Sequence, residues 1–405
     1  MGIRMEKPVA AIELGSKKLK LVVGYELDGQ IYVVYTLVKP YGHCIDAGVF
    51  SDPNKISATI ASIREFTDPL AKLRINISDV ILCLPPYNLG IFQTRQVTTV
   101  VTEDSKVSPL DLRNIYALIK NSAYPLNDKA LVDVVPESFI LDHGRIFKLA
   151  PMGESSSTLT VAAKVQTLPK VMVDSYKNVL INGGVISRRY VVSSLAAVEL
   201  ISSYEDMPHS YILVDIGSNI TTVSFDGNEA LYGSTHFAWG SDHITERIIE
   251  KFNINEAEAE KYKMMYGIDN RVMSFRAPVC AIADSAGHER RHYNDELNAI
   301  IKSELDIFVK NVNASVDTVV MQHDKSYRTF PMLLFGGGAE LNGLEAYLTP
   351  KVLSEVVRVV RPQNLGARNG TFFNCLGMLL TNAKYVNVND ESHAKAGNLT
   401  RNPGK

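Results

Sequence analysis

One hairpin pattern occurs twice in this chain, and it constrains the fold more than any other feature. Residues 213–225 read LVDIGSNITTVSF: an apolar run through Ile212, Leu213 and Val214 ends at Asp215, Gly217 marks a turn, and Thr221, Thr222, Val223 and Phe225 resume a β-rich run. A carboxylate closing a buried strand and followed at once by glycine has a chemical use. The backbone N–H groups of the turn can cradle an anion, and the acid can hold a counter-cation or a water beside it. A single Asp–x–Gly hairpin is equally an ordinary turn. Near the N-terminus, however, an apolar strand ends in Glu13, continues through Gly15, Ser16, Lys17 and Lys18, and passes into a second apolar strand. An acid–x–Gly–polar hairpin opening each half points to an internal duplication around a shared cleft.

A third glycine cluster, Gly336–Gly337–Gly338, follows the apolar residues 332–335 and precedes Ala339, Glu340, Leu341, Asn342 and Gly343. Two phosphate-type hairpins and a strand–Gly–Gly–Gly turn, in this order, resemble the actin-like ATPase superfamily. That resemblance implies two hairpins gripping phosphates from opposite sides and a third turn packing on the adenosine.

The rest of the chain is ordinary globular sequence. Hydrophobic content is 46%, enough for real cores, and a net charge of −2 with no strong basic run argues against a nucleic-acid binder. Cys44, Cys83, Cys280 and Cys375 are widely spaced and read as free thiols, which fits a reducing cytoplasm. No signal peptide is expected at the start, and no apolar run reaches membrane-spanning length.

The coarse reading predicts a three-strand meander over 8–38, a helix beginning at Asp52–Pro53 with Ile56, Ile60, Ile63 and Phe66 at helical spacing, and a strand over 75–85. Residues 86–166 read as a β–α–β–β insertion: β over 91–101, a helix from Pro109, one or two strands over 131–140 and another over 158–165. Then come a helix over 168–180, a strand over 185–192 and a helix over 194–203. After the second hairpin, a helix runs from Asp242 to Phe252, and Asn255 caps a second that ends at Gly267. Residues 271–284 look strand-like, 287–291 a polar loop, and 296–312 an amphipathic helix. A short helix and strand are expected in 350–360 and a closing helix over 374–380; from 388 on, the polar, aperiodic composition predicts a disordered tail.

Three further stretches sharpen the resemblance. Residues 237–267 (FAWGSDHITERIIEKFNINEAEAEKYKMMYG), 133–142 (DVVPESFILD) and 366–377 (GARNGTFFNCLG) resemble, in order, segments of FtsA, the bacterial actin-like cell-division family, and the likeness runs over roughly residues 8–382. PilM of type IV pili, which shares the insertion, is the nearest rival. The implied fold is α/β and actin-like: two duplicated halves around a nucleotide cleft, with an SHS2-like subdomain 1C inserted in the first half. The implied divisions are 1–85 (subdomain 1A), 86–166 (1C), 167–208 (1A continued), 209–234 (2A), 235–330 (2B), 331–364 (2A continued), 365–385 (return to 1A) and 386–405 (tail).

The resemblance also assigns a site for ATP and Mg2+. Glu13, Gly15, Ser16, Lys17 and Lys18 match the first phosphate loop, and Asp215, Gly217, Ser218 and Asn219 the second. Gly336, Gly337, Gly338 and Leu341 match the adenosine turn, and Glu260 with Lys263 the pair that meets ribose and base. Glu13 and Asp215 are the metal candidates, acting through water, and Asp215 is the candidate catalytic residue. Several positions depart from the family pattern. Glu13 stands for Asp, Ser218 and Asn219 for glycines, Thr222 for a second Asp, and Ser193 for Glu or Gln, so binding is expected and efficient hydrolysis is not. Glu304 falls where a basic residue is expected, with Lys302 and Lys310 as substitutes, and Arg290, Arg291 and His292 form a basic cluster nearby.

The expected role is a cytoplasmic, self-assembling adaptor at the inner face of the membrane at the division site. It would form head-to-tail filaments, take the FtsZ C-terminal peptide through 235–330 and meet other division proteins through 86–166. The closing NLTRNPGK offers no apolar face, so membrane contact is expected to be weak or indirect. The alternatives are a PilM-like pilus adaptor and a superfamily ATPase or sugar kinase. The kinase would need a carboxylate base that nothing beyond Asp215 supplies.

Overall fold

A computed structural model of the chain describes residues 8–67, 74–227, 230–268, 276–283, 289–320 and 330–385. Its frame is one sheet built twice. In the first, strands Gln30–Pro40, Lys18–Leu27 and Val9–Leu14 form an antiparallel meander, and Asp79–Leu84 and Ile186–Val192 add in parallel on the far side of Val9–Leu14. In the second, Leu231–Phe237, Thr221–Gly227 and Ser210–Ile216 repeat the meander, and Met332–Phe335 and Val357–Val359 repeat the parallel additions. The central strands are buried on both faces, which is why they read as continuous apolar runs rather than alternating ones.

Two helices join the halves. Ser193–Ser202 and Phe373–Lys384 lie in a core that draws on both sheets, from Ala11, Val22 and Ile81 to Leu213, Leu333 and Phe335. They cross so closely that a Cβ on Gly377 would fall 1.8 Å from the Ala196 carbonyl oxygen. This crossing forms the floor of the cleft. Next to it, the buried Arg189 guanidinium donates to Asp133 (Nη2 to Oδ2, 2.8 Å) and to the Thr381 and Tyr385 carbonyls (3.1 and 2.9 Å). One side chain thereby ties the insertion, the first sheet and the end of the last helix together.

The insertion is a four-stranded sheet, ordered Arg145–Phe147, Lys129–Leu141, Thr158–Pro169, Gly90–Thr99, with helix Pro109–Lys120 packed against it around its own core. Ser108 and Asp111 cap that helix reciprocally. The expected β–α–β–β order holds, with the short strand Arg145–Phe147 added. In the second half, helices Ser241–Phe252, Glu256–Tyr266 and Asn294–Val320 and the ribbon Pro278–Ala283/Glu289–Tyr293 extend the second sheet's core.

Several local expectations need correction. Residues 289–291, read within a polar loop, belong to strand Glu289–Tyr293. Only His292 of that strand is buried, so no alternation marks it. The helix expected from 168 begins at Lys170, because strand Thr158–Pro169 runs on to the proline. The long helix extends to Val320, with Ser315, Val316, Val319 and Val320 still buried. The helix expected in 350–360 lies earlier, at Leu344–Leu348, and only strand Val357–Val359 falls in that range. The first helix ends at Ala61, so Phe66 falls in strand Glu65–Thr67 instead. The tail expected from 388 lies outside the described residues. No helix among them is long and apolar enough to cross a membrane.

Candidate nucleotide site

The two hairpins are the same object. In each, the glycine N–H closes the turn on the carbonyl three residues on: Gly15 to Lys18 (3.1 Å) and Gly217 to Ile220 (3.0 Å). Glu13 pairs in register with Lys20, and Asp215 with Thr222, so the two acids hold equivalent positions. The tightness of the second turn explains its glycine, since a Cβ on Gly217 would sit 2.8 Å from the Ile220 oxygen. That loop docks on the next helix. The Ser241 and Asp242 N–H groups donate to the Gly217 and Ser218 carbonyls (3.0 and 2.9 Å). Gly240 permits the approach, because a Cβ there would lie 2.2 Å from the Ser218 oxygen.

Glu13 and Asp215 meet at the bottom of the cleft with Lys20 and Asn374. Lys20 Nζ donates to Glu13 Oε1 (2.7 Å), and Asn374 Nδ2 to Asp215 Oδ2 (3.2 Å). Burial and then the Glu13 charge push the Asp215 carboxyl up to about 6, against the pull of Lys20 and the Asn374 hydrogen bond. Burial alone would lower the Lys20 ammonium, yet Glu13 and Asp215 raise it overall. Glu13 Oε2 is buried without a hydrogen-bond partner, so one hard oxygen ligand stays open beside Asp215. That donor suits Mg2+ held through water. Ser193 and Thr222 line a narrow crevice at Asp215, together with Ser194 and Ser224. No carboxylate besides Asp215 lines it.

The third turn closes the site. Gly336 has φ +92°, and a Cβ there would lie 2.5 Å from Asp215 Oδ1, so this glycine brings the strand end against the acid. Gly338 packs on Ile216, whereas a Cβ on Gly337 would meet only Thr371 Oγ1 at 3.8 Å. Gly337, Gly338, Leu341 and Lys263 line one pocket, with Trp239 and Phe308 among its walls. The Lys263 ammonium is spent within the protein, on the Ser241 carbonyl, Thr245 Oγ1 and Glu260 (3.2, 2.8 and 2.6 Å). Lys263 therefore shapes this pocket, and the half-exposed Glu260 is the member of the pair open to a ligand.

Of the loop side chains, Lys18 is exposed, and Ser16 offers its carbonyl to the Cys44 N–H (3.2 Å). Lys17 and Asn219 both reach across the cleft, to Asp242 and to His43. Sequence reasoning missed Lys20, Asn374, His43 and Asp242. Lys20 had a signal, being the strand partner of Glu13; Asn374 lay within the 366–377 segment already singled out.

Around the second insertion two expectations change. His292 is buried, bonded to Glu296 (2.9 Å) and stacked on Phe252, so the exposed basic cluster reduces to Arg290 and Arg291. Glu304 is also buried, and accepts from Trp239 Nε1 (3.4 Å) and Arg247 Nε (3.2 Å). Its charge is internal, balanced by an arginine from a neighbouring helix.

The cell division protein FtsA family profile matches residues 212–377. The FtsA of Enterococcus hirae is 21% identical over 374 residues, covering 91% of this chain and 81% of its own. Among solved structures, the PilM–PilN type IV pilus biogenesis complex matches with a TM-score of 0.59 at 17% identity, covering 92% of this chain and 98% of that one. MreB5 of Spiroplasma citri bound to ADP matches with a TM-score of 0.54 at 12% identity, covering 93% and 96%. The chain is similar over most of its length to the FtsA cell-division proteins, and its fold is the actin-like one of these solved structures.

Proposed function

We propose that this protein is a nucleotide-binding, self-assembling division adaptor that links the FtsZ ring to the membrane or to later division proteins. The observation that carries the reading is the pair of equivalent hairpins whose acids, Glu13 and Asp215, meet beneath the Gly336–Gly337–Gly338 turn. ATP would lie with its phosphates between the 15–18 and 217–220 turns and its adenosine against Gly337 and Leu341. The open Glu13 oxygen and Asp215 would hold Mg2+ through water, and the metal would supply positive charge against the phosphates. Lys20 keeps the two carboxylates from repelling each other across the cleft, and Asn374 orients Asp215.

Turnover should be slow, below about one per minute. Hydrolysis needs an aligned water and stabilised charge, and the short hydroxyls of Ser193 and Thr222 supply neither a second carboxylate nor its reach. Partner binding is assigned to 235–330 for the FtsZ C-terminal peptide and to 86–166 for other division proteins. Self-association would run head to tail, at the inner face of the membrane at the division site, with Mg-ATP favouring it. A titration with the FtsZ C-terminal peptide, beside phosphate release under excess Mg-ATP with an Asp215→Ala control, tests the reading. Peptide binding with slow release supports it. Several turnovers per second, lost in the control, would favour an ATPase instead. The likeness to the PilM–PilN complex favours a second reading, a pilus adaptor; saturable binding of a pilus membrane-protein peptide and none of the FtsZ peptide would select it.

A further inference from the structure

The second phosphate loop looks degenerate as sequence because Asn219 stands where a glycine is expected, and the structure gives that side chain a task. Asn219 Nδ2 lies 2.9 Å from His43 Nδ1. If this nitrogen accepts from the amide, the ring's other nitrogen carries the hydrogen, and it faces Asp242 Oδ2 at 3.8 Å. Asp242 Oδ2 is paired at 2.6 Å with Lys17 Nζ, which also reaches Glu256 Oε1 at 2.8 Å. Lys17 and His43 come from the first half; Asn219, Asp242 and Glu256 come from the second. The Lys17 and Asp242 side chains are only 15% and 12% exposed, so their attraction is less screened than that of an ordinary surface pair.

These contacts sit at the mouth of the cleft, because Lys17 and Asn219 are the tips of the two hairpins. Another bridge between the halves lies away from the mouth. Lys164 donates to the Leu231 carbonyl (3.1 Å), and Leu231 pairs with Asp226, at the end of its hairpin remote from the 217–220 turn. Opening about the Gly377–Ala196 crossing would break the mouth contacts and spare the floor.

We propose that Lys17, His43, Asn219, Asp242 and Glu256 form a clasp that holds the cleft shut in the nucleotide-free protein. The closed shape is then present before ATP enters, and an entering phosphate competes with Asp242 for the Lys17 ammonium. Only this last step rests on the nucleotide reading. The clasp itself is measurable without nucleotide. Spin labels at Asn54→Cys and Lys251→Cys, exposed on helices of opposite halves, report the opening. A Cys280→Ser background removes the one native thiol that is not buried. The expected result is a single narrow distance distribution in nucleotide-free protein. Asn219→Ala combined with Asp242→Ala should broaden it at least twofold, with the melting temperature within a few degrees of the parent. Either a parent distribution as broad as the variant's, or a variant as narrow as the parent, overturns the clasp. Failure of the parent protein to bind ATP would count against the nucleotide reading and leave the clasp standing.

Discussion

At the scale of single residues, the glycines of the third turn separate folding from binding. A Cβ on Gly338 would lie 2.4 Å from Ile216 Cγ2, so a side chain there disturbs the strand below. Gly337 has open space above it, so Gly337→Asp is expected to fold with an unchanged melting temperature and to lose ATP binding, its carboxylate standing where the nucleotide would pack. Calorimetric titration beside a thermal melt checks this, and undiminished binding would move the adenosine elsewhere. Asp215 carries a pH signature. Its folded-state carboxyl is raised from 3.8 to about 6, so the folded protein holds that proton more firmly than the unfolded chain. The associated stability is present below the ordinary value and lost as pH rises toward 6. Asp215→Asn should remove that loss. In urea unfolding of nucleotide-free protein, the stability difference between variant and parent should change between pH 4 and 6 and be flat above. A constant difference across that window would contradict the buried two-acid arrangement.

At the scale of elements, the sheets were legible and the joints between them were not. Buried parallel strands such as Asp79–Leu84 and Ser210–Ile216 announce themselves as apolar runs, and the glycine turns set their ends. The exposed ribbon strand Glu289–Tyr293 carries one buried side chain, so its pattern could not distinguish it from a loop. Within the site, the loops and their acids were readable because turn chemistry is local. Lys20 and the Asn219–His43 contact depend on which strands and halves face each other, and no single stretch reports that. Arg189 belongs to the same class. Inside strand Ile186–Val192 it gives no sign of being 1% exposed, yet it is the tie between Asp133 and the last helix. Arg189→Met would leave the Asp133 carboxylate buried without its cation, and the expected loss is about 3–5 kcal/mol. Urea unfolding measures it, and a loss below about 1 kcal/mol would mean that Asp133 becomes protonated or hydrated at little cost.

At the scale of the whole molecule, the two halves share a frame and differ in what they insert into it. The first carries a sheet with its own core, and the second a helical block whose core merges with the second sheet. If the proposed partner is a peptide that mixes acidic and apolar residues, the surface that takes it should combine basic groups with exposed apolar ones. On the second insertion the ribbon offers Arg290 and Arg291, both exposed, while His292 beside them is turned inward. Glu289 lies 3.6 Å from Arg291, an exposed pair worth little in water and readily exchanged for a peptide carboxylate. Reversing both arginines to glutamate changes the local charge by four units without touching the buried core. The expected result is at least tenfold weaker peptide binding at low salt, with the dependence on salt flattened, because the screened attraction is what was removed. Fluorescence anisotropy across a salt series reads both. An affinity that falls while the salt slope persists would place the charges that recruit the peptide on another part of 235–330. Unchanged affinity and slope would remove the ribbon from the interface altogether.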